Sequence, residues 1–261
     1  MDPDKPSQEV IDLKTEEIMT NSTMILERRA ESLAKAQQHW AGQHPDTDAE
    51  AGRGDVRFWT IALSREAGTP GTSIAHEVGA RLNWLVYDHE LVELIAREMG
   101  IRANLLDSVD ERHKNWLQDC VDGICSTPSV SESGYARQLV ETILSLGMHG
   151  RCVMVGRGAA LLLPTITTLR VRLVGLLEDR IAMVVKQRGL SQEQAERWVK
   201  EKDHERTHFV KSHFFKDATD PSHYDLILNT SRWSVSECAD LIIQALQRAE
   251  RHVGSKMSQA K

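Results

Sequence analysis

The stretch WTIALSREAGTPGTSIAHEVGARLNWLVYD, residues 59–88, decides how the rest of the chain is read. Phe58 to Leu63 is a short apolar run, and its composition predicts a strand. A turn containing Gly68, Pro70 and Gly71 follows, then a helix over about Thr72 to Leu82. A second strand, Trp84 to Tyr87, ends at Asp88. A strand that delivers a glycine-bearing loop to the positive end of a helix offers backbone N–H groups to an anion. The stretch therefore marks a candidate nucleotide-phosphate site.

The alternation continues downstream. Strands are predicted at Cys152–Val155, Leu169–Leu176 and Asp225–Leu228, and helices at His89–Met99, Leu105–Asp119, Tyr135–Met148 and Glu178–Arg188. Ser191 with Gln194, and Ser234 with Glu237, have the spacing of capping boxes, opening helices that reach about His213 and about Glu250. Ser126 to Ser133, with Pro128 and several serines, reads as a loop. Short apolar strands between amphipathic helices imply an α/β fold whose parallel sheet is covered on both faces. Such sheets bind ligands beyond the carboxyl ends of their strands.

Residues 1–56 read differently, as a helical arm and linker. Val10, Leu13, Ile18, Met24, Leu26, Leu33 and Ala36 form a loose apolar stripe between Gln8 and Trp40, followed by the polar linker QHPDTDAEAGRGD. The arm either packs on its own domain or a sister subunit, giving a homo-oligomer, or binds another partner. The main domain spans residues 57–250, and residues 251–261 read as a flexible tail.

Composition narrows the function. The chain has 261 residues, 41% of them hydrophobic, enough for one α/β domain and an appendage. A net charge of −6 argues against nucleic-acid partners. Its four cysteines, Cys120, Cys125, Cys152 and Cys238, lack metal-ligand spacing and read as reduced thiols of a cytoplasmic protein. The first residues, MDPDKPSQEV, have no apolar run of signal-peptide type, and no stretch approaches the ~18 apolar residues of a membrane span.

The loop SREAGTPGTS, Ser64 to Ser73, is the first chemical candidate. Gly68 and Gly71 let backbone curl around oxygen atoms, with Thr69, Pro70 and Thr72 between and after them, and Ser73, or Thr72, is placed to offer a hydroxyl to phosphate or magnesium. The pattern GxxxxGK[ST] fails: Arg65 stands where its first glycine falls and Gly71 where its lysine falls. Arg157, in GRG after the third strand, either grips a phosphate with parallel N–H donors or sits in a salt bridge. Asp88 either accepts from a ligand or caps the helix starting at His89. Asp203 and Arg206 share a helix face, near His204, His208, Lys211 and His213, and form either an ion pair on a solvated helix or part of the site. These histidines lack HExxH or compact Cys/His spacing, so no histidine metal site is expected. Glu178 and Asp179 suit a helix start, and Arg180 faces either site or solvent.

Taken in order, five segments resemble the cytidylate kinase-like family of P-loop nucleoside-monophosphate kinases. They are TIALSREAGTPGTSIAHEVGARLNWLVYDHELV, CVMVGRGAALLL, LRVRLVGLLEDRIAMVV, EKDHERTHFVKSHFF and YDLILNTSRWSV. The resemblance covers about Arg57 to Arg248. It implies a three-layer P-loop kinase-like fold with a five-stranded parallel sheet and a mobile helical lid. It further implies ATP and magnesium as cofactors, and transfer of the γ-phosphoryl to a nucleoside monophosphate or similar acceptor. By that likeness Gly68 to Ser73 hold the donor phosphates, Ser73 meets magnesium, Asp88 lies near the acceptor's sugar or base, and Arg157 grips its phosphate. Asp203 and Arg206 belong to the closing lid, Arg180 is a weaker substrate contact, and Asn229-Thr230-Ser231 lie near the adenine.

The departures are specific. The family's loop commonly reads SRE followed by GSGGR, without the lysine; this chain keeps SRE but has Thr72 where that arginine stands, and Gly158 where an aspartate follows Arg157. Arg65 supplies the missing cation only if the strand end turns it inward. A nucleotide-binding regulatory protein without turnover is the rival expectation, and a kinase for a non-nucleotide metabolite is a third.

Overall fold

The computed structural model describes residues 27–28, 30–40, 59–109, 111–125 and 134–259. The arm before residue 27, the whole linker and the Ser126–Ser133 loop lie outside these residues. A helix over residues 30–40, α1, is followed by β1 (Thr60–Arg65), α2 (Gly71–Leu82) and β2 (Leu85–Tyr87). Next come α3 (His89–Arg97), α4 (Met99–Asp107), α5 (Glu111–Ile124) and α6 (Gly134–His149). The remainder is β3 (Cys152–Val155), α7 (Ala159–Leu162), β4 (Thr168–Val174), α8 (Leu177–Arg188), α9 (Gln192–Phe214), β5 (Leu226–Asn229) and α10 (Val235–Gln259).

The five strands form one parallel sheet in the order β2-β3-β1-β4-β5. β1 is central, with Thr60 beside both Cys152 and Thr168, so its carboxyl end opens between the ends of β3 and β4. Alternate residues of β1 enter opposite layers, as the two-residue period of a strand requires. Ile61 and Leu63 join Ile74, Val78, Ile242 and Leu246 of α2 and α10, while Ala62 joins Tyr87, Ile95, Leu139 and Ile143 on the α3/α6 side. A smaller cluster of Ile181, Val184, Ala195 and Val199 holds the α8–α9 hairpin together and receives Ala67 of the loop after β1.

Some boundaries differ from expectation. The helical stretch expected over Leu105–Asp119 is divided, α4 ending at Asp107 and α5 opening at Glu111. α3 and α4 are separated at Glu98, whose backbone is extended (ψ 103°). α10 continues through residues 251–259, where a flexible tail was expected. Both capping boxes form at Ser191/Gln194 and Ser234/Glu237. Among the described residues no helix is long and apolar enough to cross a membrane, and all four cysteines are free.

The arm's described helix packs on its own domain. Ala36 and Trp40 are buried in the α3/α6 core, and Trp40 Nε1–H donates to the Tyr87 hydroxyl at 2.9 Å. His39 Nδ1 lies 3.0 Å from the same hydroxyl, and its ring is 6.3 Å from that of His149 at the end of α6. Burial, then the neighbouring His39, lowers the His149 pKa to about 4. The unfolded chain therefore binds a proton below about pH 6.5 that the folded chain refuses until about pH 4. The His149 contribution to stability is expected to fall by about 3 kcal/mol across that window and to level off below it. Urea denaturation at pH 7 and pH 4 measures this, and His149→Gln should flatten most of the dependence.

Candidate functional site

A cavity of about 760 Å³ opens at the carboxyl ends of β1 and β3, roofed by α9. Its wall includes Arg65, Gly68, Thr69 and Thr72 from the first loop, Arg157 and Gly158 from the turn after β3, and Asp203, Arg206 and Phe209 from α9.

The loop after β1 is built by local rules. Gly68 has φ +80°, and a Cβ there would lie 2.5 Å from the Arg180 carbonyl oxygen. The Thr69 hydroxyl and N–H both donate to the Glu66 carbonyl, closing the turn. Pro70 precedes α2, and no side chain caps that helix start. The first N–H groups of a helix have no partner within it, and the macrodipole favours an anion there. Of the two hydroxyls expected at the helix start, that of Thr72 belongs to a residue on the cavity wall, while Ser73 is off it.

Arg65 turns inward. A Cβ on Gly71 would lie 2.5 Å from Arg65 Cδ, and one on Gly156 would lie 3.3 Å from Arg65 Nη1. The side chain therefore runs across the face of Gly71, where the lysine of the usual loop is rooted, toward the turn after β3. Among the described residues it has no hydrogen-bonded or ion-paired partner. Burial first, then Arg206 and Arg157, pulls its pKa down to about 10, with Asp88 opposing. Arg206 is likewise lowered, by burial and by Arg157, against the favourable field of Asp203. Its Nη1 donates to the Arg65 carbonyl at 3.1 Å. Three guanidiniums from β1, the β3 turn and α9 thus repel one another around one space, a charge arrangement that a polyanion relieves.

Arg157 has φ +51° between Gly156 (φ +83°) and Gly158 (φ +76°), a left-handed turn that non-glycine residues rarely adopt. Its Nη2 pairs with Glu93 at 2.7 Å, and its guanidinium carbon lies 4.9 Å above the Phe209 ring. Arg157 thus sits in a salt bridge and also lines the cavity.

The remaining expected residues divide. Asp88 caps α3, its Oδ1 accepting from the N–H groups of Glu90 at 3.0 Å and Leu91 at 2.8 Å, and it lies off the wall of the large cavity. Arg180 is a structural clamp, also off that wall: it donates to Asp203 Oδ2 at 2.6 Å, to the Ala67 carbonyl at 3.1 Å and to the Gly175 carbonyl at 3.1 Å. Asp203 Oδ1 accepts from the Ala67 N–H at 2.7 Å, so this acid pins α9 to the loop after β1. Glu66 completes the clamp, lying 3.5 Å from Arg180 and 3.6 Å from Arg172.

His89, Glu93, Arg172 and Phe209 belong to the site or its rim and carry no motif of their own. The sequence signal for His89 was its position directly after Asp88, at the carboxyl edge of the sheet. Its Nδ1 is buried without a partner, and burial followed by Arg65 and Arg157 lowers its pKa, so the ring faces the arginines neutral. Among the described residues no group of three or more His, Cys, Asp or Glu side chains is placed to hold a metal.

The model of the cytidylate kinase-like family matches residues 60–232, most of the chain. The chain belongs to this family. A cytidylate kinase of Methanopyrus kandleri is 36% identical over 83 residues, 32% of this chain and 43% of that kinase. A uronate isomerase of Corynebacterium glutamicum is 29% identical over 147 residues, covering 53% of this chain and 28% of the isomerase. The chain thus spans less than half the length of these curated relatives. An uncharacterized protein of Eubacterium ventriosum has a similar solved structure, with a TM-score of 0.60 and 20% identity over 73% of this chain and 98% of that one. The three-layer kinase fold, with its five-stranded parallel sheet, is that of the cytidylate kinase-like family.

Proposed function

We propose that the cavity transfers the γ-phosphoryl of ATP, with magnesium, to a small phosphate-bearing acceptor such as a nucleoside monophosphate. One observation carries the reading: Arg65, lying across Gly71, brings a cation that is unpaired among the described residues to the loop that lacks its lysine. Phosphoryl transfer asks the protein mainly for positioning and neutralisation of charge. The backbone of Gly68 to Thr72 would cradle the donor phosphates, Arg65 and Arg206 would offset charge at the transferred group, and Arg157 would hold the acceptor phosphate. An acceptor phosphate oxygen is already a nucleophile, so no general base is needed.

The residues fit magnesium in a limited way. Glu66 and Asp203 are engaged by arginines, which leaves the Thr72 hydroxyl as the protein's contribution beside donor phosphates and water. The bound ion would neutralise donor charge. Asp203 favours a second reading, a nucleotide-binding regulatory protein without turnover, because its carboxylate is committed to Arg180 and the Ala67 N–H. An assay with ATP, magnesium and a panel of monophosphates separates the two. ADP formation that requires the acceptor supports the kinase; tight nucleotide binding without transfer supports the regulator; no nucleotide binding overturns both.

A further inference from the structure

We propose that Glu93 is a built-in competitor for the anion that Arg157 binds, and that Arg97 receives its carboxylate when the anion arrives. The proposal rests on the reading of Arg157 as the acceptor's anchor and adds a residue that sets how tightly the acceptor is held. Glu93 Oε1 lies 2.7 Å from Arg157 Nη2 and also accepts from the Tyr135 hydroxyl at 2.9 Å. Both side chains of the ion pair are only about a quarter exposed, at 24% for Arg157 and 25% for Glu93. A carboxylate and a phosphate present similar oxygen pairs to a guanidinium, so they compete for the same donors.

Arg157 is poised for exchange rather than saturated. Its Nε is buried without a hydrogen-bond partner, and Phe209 covers one face of the guanidinium. Its backbone is held left-handed between two glycines, so the side chain's root is fixed while its partner changes.

The displaced carboxylate has a destination. Glu93 and Arg97 are four residues apart on α3, glutamate first, the favourable order for an ion pair on a helix face. Both line a second cavity of about 390 Å³, with Asp88, Glu90 and His76. Arg97 now stacks on the Tyr135 ring at 5.3 Å, so Tyr135 stands between the two positions. Tyr135 also meets His213 edge-on at 6.2 Å, and His213 stacks on Phe209 at 4.4 Å. The exchange would thus be felt along α9, the helix that roofs the cavity.

The test is titration of the full chain with inorganic phosphate, and separately with CMP, by calorimetry. Glu93→Gln is expected to bind phosphate about tenfold tighter, a change of about 1.4 kcal/mol. Arg97→Gln is expected to bind it several-fold weaker, because the freed carboxylate loses its receiving cation. Arg157→Gln should remove binding in every background. Unchanged or weaker binding by Glu93→Gln, with Arg157 still required, would overturn the competitor and leave the proposed function standing. Were Glu93→Gln to fail to fold, unaltered phosphate affinity in Arg97→Gln would reject the exchange. Absence of any Arg157-dependent phosphate or CMP binding would remove the underlying reading as well.

Discussion

Arg65→Met is expected to lower phosphoryl transfer by about 10² to 10³ while leaving the melting temperature of the free protein unchanged or raised. The two effects have one origin. The guanidinium is partly buried, repelled by Arg206 and Arg157, and unpaired among the described residues. A cation whose pKa is pulled down by its surroundings is one the folded state tolerates poorly, so removing its charge relieves the free protein. Methionine keeps much of the side chain's length and its contact over Gly71. A nucleotide phosphate reverses the balance, because the same charge then faces an anion. The stabilisation that ATP gives in a thermal-shift titration should therefore shrink in the variant. A variant that retains full transfer would show that the loop manages without a cation. One that loses stability along with activity would show that Arg65 is a structural residue. Gly71→Ala gives an independent check, since its Cβ would displace Arg65 Cδ without removing any charge.

The sequence disclosed the sheet well and the site in part. Buried parallel strands read as apolar runs between periodic helices, so β1, β3 and β4 were visible to within a few residues. Arg157 was visible because it directly follows a recognisable strand, and Arg206 because it lies three residues after Asp203 on one helix face. What was not visible depends on cross-chain packing. Arg180 and Asp203 are 23 residues apart and are each other's partner, which no local pattern announces. The inward path of Arg65 depends on the missing Cβ of Gly71, six residues away. The choice of Thr72 over Ser73 at the cavity is a matter of helical phase. Glu93 lacked a motif altogether: its partner Arg157 lies on another element, and only its i, i+4 relation to Arg97 was readable.

Gly158→Asp, which introduces the acid that the resemblance implies after the arginine, is expected to destabilise the protein by about 2–4 kcal/mol and not to improve transfer. Such a loss lowers the melting temperature by about 5–10 °C in a domain of this size. Gly158 has φ +76°, a conformation that aspartate tolerates better than most residues, so backbone strain is the smaller part. The larger part is space: a Cβ would lie 2.5 Å from Phe214 Cε2 and 2.8 Å from Cδ2. Phe214 is 7% exposed at the end of α9 and packs edge-on against Phe209 at 5.9 Å, so its ring cannot swing away cheaply. Phe209 in turn supports Arg157, and the added group would disturb the arginine it is meant to assist. Combining Gly158→Asp with Phe214→Leu should recover part of the lost stability, a coupling that a double-mutant cycle measures. Strictly additive losses across the cycle would place the cost in the backbone instead. In this chain the glycine and the phenylalanine are one solution to packing the lid helix on the β3 turn, and the aspartate belongs to another.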